Sequence, residues 1–487
     1  DLFEKDWASL RHRVARSEAF GEEQWYDFLR RARRQGQRLR RRSKEQWQKF
    51  SKIALRQFKR VRKSARDLIE RGRSAIGTVE ATEEDRLRTI DAISIASVRK
   101  LQERLPLVYR KLFSLGPVIE PSLLEGRQAD LKRIKEHVHR WKSGQSAGAL
   151  ILAMPPGSGR SSLLNTVDAM LQPTADVRRL TFTTRPSDVS DFAASVVKAL
   201  GIEVIGQPSL DAVEAHLLDA PRSKPPQVCL IDNLEHLLLR TLGGSDLVER
   251  VLIFFSRTDT KICWIATIGD YAWRFLEKTL GLATGLVTAY RTAWFDSATL
   301  TDIIINRHQR SGMGLRFAEP KDLSPLVRRR VRRARTPEVR EAILREIYFD
   351  RLFRHSGQNV MLALYYWLCS TDFEAEEGLL TVRPVEPLSF RFFESFDMAR
   401  AFTLKALMLH NTLTLEEHNR IFRMTDAEST YLLESLLNMR LIEPCRPEAH
   451  RDADPPPSRI FPNERYRLHP LILHSTFQLL RERNIIH

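Results

Sequence analysis

Cysteine is scarce. The 487 residues hold four, Cys229, Cys263, Cys369 and Cys445, far apart in the chain. That excludes a disulfide framework or a Cys-rich zinc module and leaves reduced core residues of a cytosolic protein as the expectation. Long apolar runs are missing too. Nothing approaches about 18 consecutive apolar residues, so no segment is expected to span a membrane as a helix, and no signal peptide is visible. His410, His418, His469 and His474 lack metal-ligand spacing and are assigned to surface or core packing. Glycine and proline are sparse before about residue 110, where the chain reads as long helices.

What is abundant is positive charge, and it is uneven. The net charge is +17. Between Arg31 and Arg73 there are 18 Lys/Arg against Glu45, Asp67 and Glu70, a local net of +15. Trp47, Phe50, Ala54, Phe58 and Val61 recur there at three- and four-residue steps, an apolar stripe on a basic helix. Such a helix suits an anionic membrane surface, nucleic acid or an acidic partner, or else packs as a solvated hairpin or coiled coil. A second cluster, Arg328, Arg329, Arg330, Arg332, Arg333 and Arg335, lies far downstream.

The most informative stretch is residues 148–164. An apolar run, Ala149 to Ala153, breaks at Pro155-Pro156-Gly157-Ser158-Gly159 and restarts as an apolar-periodic helix at Ser161. A phosphate-binding loop, G-x-x-x-x-G-K-[ST], uses glycines so that backbone N–H groups can wrap phosphates, Lys at the terminal phosphates and Ser/Thr on Mg²⁺. Gly159 and Ser161 fit; Met154 replaces the first Gly and Arg160 the Lys. Strand-like runs at Val177–Thr183, Gln227–Asp232 and Lys261–Ile268 alternate with helical patterns, which predicts a parallel sheet with helices on both faces. Residues 297–370 read as helical, interrupted by the arginine cluster. Three helices and two short strands around a Pro-rich loop, then a closing helix, predict a winged helix at 390–487.

Taken in order, these motifs resemble the AAA+/STAND group of P-loop ATPases with a C-terminal winged helix, over roughly residues 115–487. Gly126-Arg127 is similar to the box that family members place beside adenine. Val228 to Asn233 resembles the Walker B strand, with Asp232 on Mg²⁺ together with Ser161, and Thr267 holds the sensor 1 place. His355 to Leu364 resembles the lid signature. The resemblance implies ATP or ADP, with Mg, bound by Gly126, Arg127, Gly157, Ser158, Gly159, Arg160, Ser161 and Ser162. It also implies degeneracy: Asn233 stands where the catalytic acid belongs and Met361 where the sensor 2 Arg belongs. Both lack the chemistry of phosphoryl transfer. Glu235 is the nearest alternative base, expected to point away on a helix.

The expected architecture is therefore an α/β P-loop NTPase core with basic N-terminal helices, a helical lid and a winged helix, divided at 1–114, 115–296, 297–385 and 386–487. The expected function is a cytoplasmic, nucleotide-binding switch or scaffold with weak or absent hydrolysis, assembling with itself or with protein partners, with membrane association through residues 31–73 as one option. The alternatives are a DNA-associated ATPase regulator using the basic helices, and a working ATPase. Glu416, Glu417, Asp426, Glu428, Glu434 and Glu443 outnumber Arg420, Arg423 and Arg440, so the winged helix is not expected to read DNA.

Overall fold

The computed structural model describes residues 101–487 except 102, 146, 156, 183, 204, 205, 222, 282, 375–377, 446–458 and 487. The basic segment 31–73 and its aromatic stripe lie outside the described residues.

Helices α1 (Leu107–Leu112) and α2 (Gln128–Lys142) precede strand β1 (Leu150–Met154). The chain continues through α3 (Arg160–Leu171), β2 (Asp176–Leu180), α4 (Val189–Leu200), α5 (Leu210–Asp219) and β3 (Gln227–Ile231). It then forms α6 (Asp246–Thr258), β4 (Ile262–Gly269), α7 (Asp270–Leu280) and β5 (Thr288–Arg291). The five strands make one parallel sheet in the order β2-β3-β4-β1-β5. β1 is a continuous apolar run because both of its faces are covered. Ile151 and Ala153 share a core with Phe192, Val196, Leu252 and Trp273 of α4, α6 and α7. Leu150, Leu152 and Met154 share another with Ile134, Val138, Leu163 and Val167 of α2 and α3. Met154, standing where a phosphate loop has its first Gly, is thus a core side chain. A strand, a glycine turn and a helix around a parallel sheet with helices on both faces make this an α/β P-loop NTPase fold.

Next come α8 (Ser297–Gln309), β6 (Gly314–Phe317), α9 (Pro325–Arg332), α10 (Pro337–Ser356) and α11 (Val360–Ser370), then β7 (Thr371–Glu374) and β8 (Leu379–Val382). Two expectations are corrected here. The arginine cluster does not interrupt helix: it largely forms one, α9, started by the Ser324 cap and Pro325, with Arg329, Arg330 and Arg332 in the last turn where cations suit the helix dipole. The region is also not purely helical, since β6, β8 and β7 form a small sheet. The expected boundary at 114/115 does not coincide with a break in packing. Tyr109 and Phe113 are fully buried, and the Trp367 indole of α11 donates to the Tyr109 hydroxyl at 2.7 Å.

The last part contains α12 (Met398–His410), β9 (Thr412–Leu413), α13 (Leu415–Phe422), α14 (Asp426–Asn438), β10 (Ile442–Pro444), β11 (Tyr466–Leu468) and α15 (Leu473–Glu482). Its strands form an antiparallel sheet, β10-β11-β9. Capping boxes start α13 (Thr414 with Glu417) and α14 (Thr425 with Glu428). Among the described residues no helix is long and apolar enough to cross a membrane.

Candidate functional site

In open α/β sheets, ligands bind outside the carboxyl ends of the strands, where the strand order reverses. Here that place lies beyond β1, β3 and β4. The β1–α3 loop turns on two glycines in the left-handed region, Gly157 (φ +73°) and Gly159 (φ +83°), a conformation that L side chains resist. Gly159 is the N-cap of α3 and has no side chain to satisfy the free amides of the first turn, so these remain available to an anion.

Three hydroxyl and carboxylate groups meet beneath this loop. Ser161 Oγ donates to Asp232 Oδ2 at 2.7 Å, and Thr267 Oγ1 donates to Asp232 Oδ1 at 2.7 Å. The Asn233 backbone N–H donates to Thr267 Oγ1 at 3.3 Å. The ends of β3, β4 and α3 are therefore tied at one carboxylate, and Ser161, Asp232 and Thr267, expected together from sequence, are together.

The fourth participant was misjudged from sequence. Asn233 adopts a left-handed conformation (φ 59°, ψ 57°), which Asn tolerates better than most residues, and leads into a single 3₁₀ turn, Leu234–Leu237. That reversal swings Glu235 inward rather than away. Its side chain is 2 % exposed, forms an ion pair with the Arg160 guanidinium and accepts from the Gly269 N–H at 3.2 Å. Burial opposes the charge on Arg160, but Glu235 and Asp232 outweigh it and hold its pKa above the ordinary value. The cation in the place of the phosphate-loop lysine thus already has a counter-charge.

Arg127 serves the loop from behind, while its neighbour Gly126 packs on Phe295 and Thr299. The Arg127 guanidinium is buried. It donates to Asp130 Oδ2, to the Ala293 carbonyl and to the Ser158 carbonyl, each at 3.0 Å, and lies 4.0 Å over the Phe295 ring. It braces the loop through Ser158. A Cβ on Gly126 (φ +72°) would come 2.2 Å from Thr299, so only glycine fits there. Ser158 Oγ donates to the Pro155 carbonyl at 2.7 Å, and Ser162 Oγ accepts from the Val118 N–H at 2.9 Å. Both hydroxyls are engaged by the chain itself.

Two further residues belong to the site: Arg185 carried no signal in sequence, and Asn359 falls within the lid-like stretch 355–364 but had no role assigned to it. Asn359, at the start of α11, is 2 % exposed and packs on Gly157. Arg185, in the loop after β2, is a buried hub. Nη1 donates to the carbonyls of Glu235 (3.3 Å), His236 (3.0 Å) and Leu238, Nη2 to that of Thr412 (3.1 Å), and Nε to Glu417 Oε1 (2.8 Å). Arg465 completes the hub, pairing with Glu417 Oε2 at 2.8 Å. Glu417, counted among the acids that would repel DNA, instead faces these arginines. Burial, then Arg185, Arg465 and Arg160, push the nearby His236 down to about 3, partly offset by Glu417.

No protein-family model and no curated protein matches the sequence. Among solved structures the chain is similar to the Aeropyrum pernix ORC2 protein in its ADPNP-ADP complexes, at 11% identity over 77% of this chain and 99% of that one, TM-score 0.34. It is similar to Cdc6p from Pyrobaculum aerophilum at 13% identity, covering 77% and 98%, TM-score 0.34. Drosophila ORC bound to DNA is similar at 14% identity, covering 75% and 97%, TM-score 0.35. The fold class itself stands on the strand order and the loop geometry.

Proposed function

We propose that this chain is an ATP- or ADP-binding switch or scaffold of the AAA+ type, with weak or absent hydrolysis, acting through protein–protein assembly. The observation that carries the reading is the Ser161–Asp232–Thr267 set under a loop turned by two left-handed glycines. Backbone amides at a helix start bind phosphate whatever the side chains are. Gly157, Ser158, Gly159, Arg160, Ser161 and Ser162 would surround the phosphate chain, with the Gly126-Arg127 box near the adenine and Arg127 bracing the loop through Ser158. Ser161 and Asp232 offer the hard oxygen donors that Mg²⁺ takes beside phosphate and water, where the ion would neutralise phosphate charge. Residues 115–296 would form the nucleotide-binding core and 297–385 its lid. The helices and antiparallel sheet of 386–487 support a winged helix, docked on the core through Arg185 rather than on DNA.

Absent hydrolysis follows from the carboxylates. Asn233 has none, and Glu235 is neutralised by Arg160. Losing a positioned base costs about 10² to 10⁴ in rate. Calorimetric titration with ATP and Mg²⁺ is expected to show binding, with phosphate release far below ordinary ATPase rates. No binding into the millimolar range would sink the nucleotide reading; brisk release abolished by Asp232→Ala would sink the hydrolysis reading.

A second reading has its own support. A surface cavity of about 490 Å³ is lined by Arg329, Arg330, Arg333 and Arg335 beside exposed Leu326. Such a cavity would hold phosphates of nucleic acid or anionic lipid; the basic charge of residues 31–73 suits the same partners. If nucleic acid is the partner, the logarithm of DNA affinity falls with the logarithm of salt at a slope of about 0.9 per phosphate contacted. A flat salt response dismisses this reading.

A further inference from the structure

The turn between α10 and α11 presents an amide to the phosphate loop. Asn359 caps α11: its Oδ1 accepts the Leu362 N–H at 3.1 Å. That bond commits Oδ1 and leaves Nδ2 as the uncommitted end of a carboxamide that lies face-on to Gly157, where a Cβ would come 2.9 Å from Cγ and Oδ1. Nδ2 is buried and has no hydrogen-bond partner among the described residues. It lies against Gly157, so close that a Cβ there would come within 2.6 Å of it. An unpaired buried N–H donor is costly and rare in a native fold, and an unfilled ligand position is one explanation for it. The turn has little room to withdraw. Its Gly357 (φ +59°) packs on the His474 ring of α15, where a Cβ would come 2.2 Å from Cε1. Met361, two residues on, is packed against the apolar cluster of α10 and α11 and offers no donor of its own.

We infer that Asn359 is a phosphate-binding residue, donating from Nδ2 to an oxygen of a phosphate lodged in the 157–161 loop. The inference rests on the nucleotide-binding reading above. It assigns to a neutral amide the closure of α11 on the ligand: the contact rewards a phosphate oxygen by a directed hydrogen bond and adds no positive charge to a site that already holds Arg160. An isosteric carboxylate in the same position repels the same oxygen.

The test uses the full chain and MgATP and MgADP as probes. Asn359→Asp keeps the helix cap, since Asp caps as well as Asn, and exchanges the donor for an anion. Asn359→Ser keeps a cap without charge and withdraws the donor from reach. The inference expects nucleotide affinity to fall by about tenfold or more in Asn359→Asp and by a smaller factor in Asn359→Ser. Thermal melting of nucleotide-free Asn359→Ser is expected to hold, because the cap survives and an orphan donor has been removed, whereas Asn359→Asp buries an unpaired carboxylate and is expected to melt lower. Wild-type affinity in both variants overturns the inference and leaves the nucleotide reading intact. A wild-type chain that binds neither probe overturns both. Should Asn359→Asp lose stability, Asn359→Ser with unchanged melting decides by its affinity alone.

Discussion

Glu235→Ala is expected to destabilise the nucleotide-free protein by about 3–5 kcal/mol, the usual cost of stranding one member of a buried ion pair. The stranded member is Arg160, whose side chain is only 15 % exposed. Asp232 is the other carboxylate close enough to support its charge, and it is already bound by two hydroxyls. Glu235→Gln keeps the shape and an acceptor for the Gly269 N–H and is expected to cost less. The same Glu235→Ala variant is expected to bind MgATP more tightly than wild type, by about tenfold for each 1.4 kcal/mol recovered, because phosphate no longer competes with a carboxylate for Arg160. Chemical denaturation with and without nucleotide, together with calorimetry, checks both signs. Unchanged stability, or weaker nucleotide binding in a folded variant, contradicts the competition between Glu235 and phosphate.

Acid is expected to unfold the protein well above the pH at which carboxylates protonate. Burial pushes His137 down to about 4, with Arg140 adding to it, and His418 also down to about 4; His236 falls to about 3. Their ordinary value is near 6.5. Between about pH 6.5 and 4 the unfolded chain therefore binds protons that the folded chain refuses. The stability these neutral histidines confer is fully present above pH 6.5 and is lost as pH falls, at about 1.4 kcal/mol per pH unit for each. Three of them acting together remove roughly 4 kcal/mol per unit, against a total of about 5–15 kcal/mol for a typical domain. Urea midpoints at pH 7.5, 6.0 and 5.0 should drop steeply across the last two, and less steeply in His236→Gln. A flat profile down to pH 5 refutes the neutral assignment.

The parts of the site legible in sequence are those whose signal is local. β1, the glycine turn and α3 announce themselves by an apolar run, two glycines and a restart; β3, which leads into Asp232, and β4, which contains Thr267, do so by their apolar runs. β5 escaped because Thr288–Arg291 is an edge strand, largely exposed and without an apolar run. β6, β7 and β8 escaped because four residues are too few to establish a period of two, and β6 and β7 carry Arg316, Asp372 and Glu374. Glu235 was placed on the wrong side because its direction depends on one residue, Asn233, taking a left-handed turn. Arg185 was invisible for another reason: its partners lie far away in sequence, and nothing near it in the chain distinguishes it from a loop arginine. Asn359 falls in the lid-like stretch, but its approach to Gly157 is a contact between distant parts of the chain that no local pattern records.

Arg185 and its carboxylate partner Glu417 are 232 positions apart. On a ribosome adding about 5–20 residues per second, the guanidinium is made on the order of 10–50 s before that carboxylate exists. Through that interval the segment after β3, which presents Glu235 to Arg160, lacks the clamp that later joins it to Thr412 and Glu417. The outer half of the Arg185 hub is thus completed late, from the far end of the chain. A nascent core ending before β9 has every residue of the loop and the bonds from Arg185 to the turn behind it, but not the Thr412 carbonyl and Glu417 carboxylate that hold Arg185 from the other side.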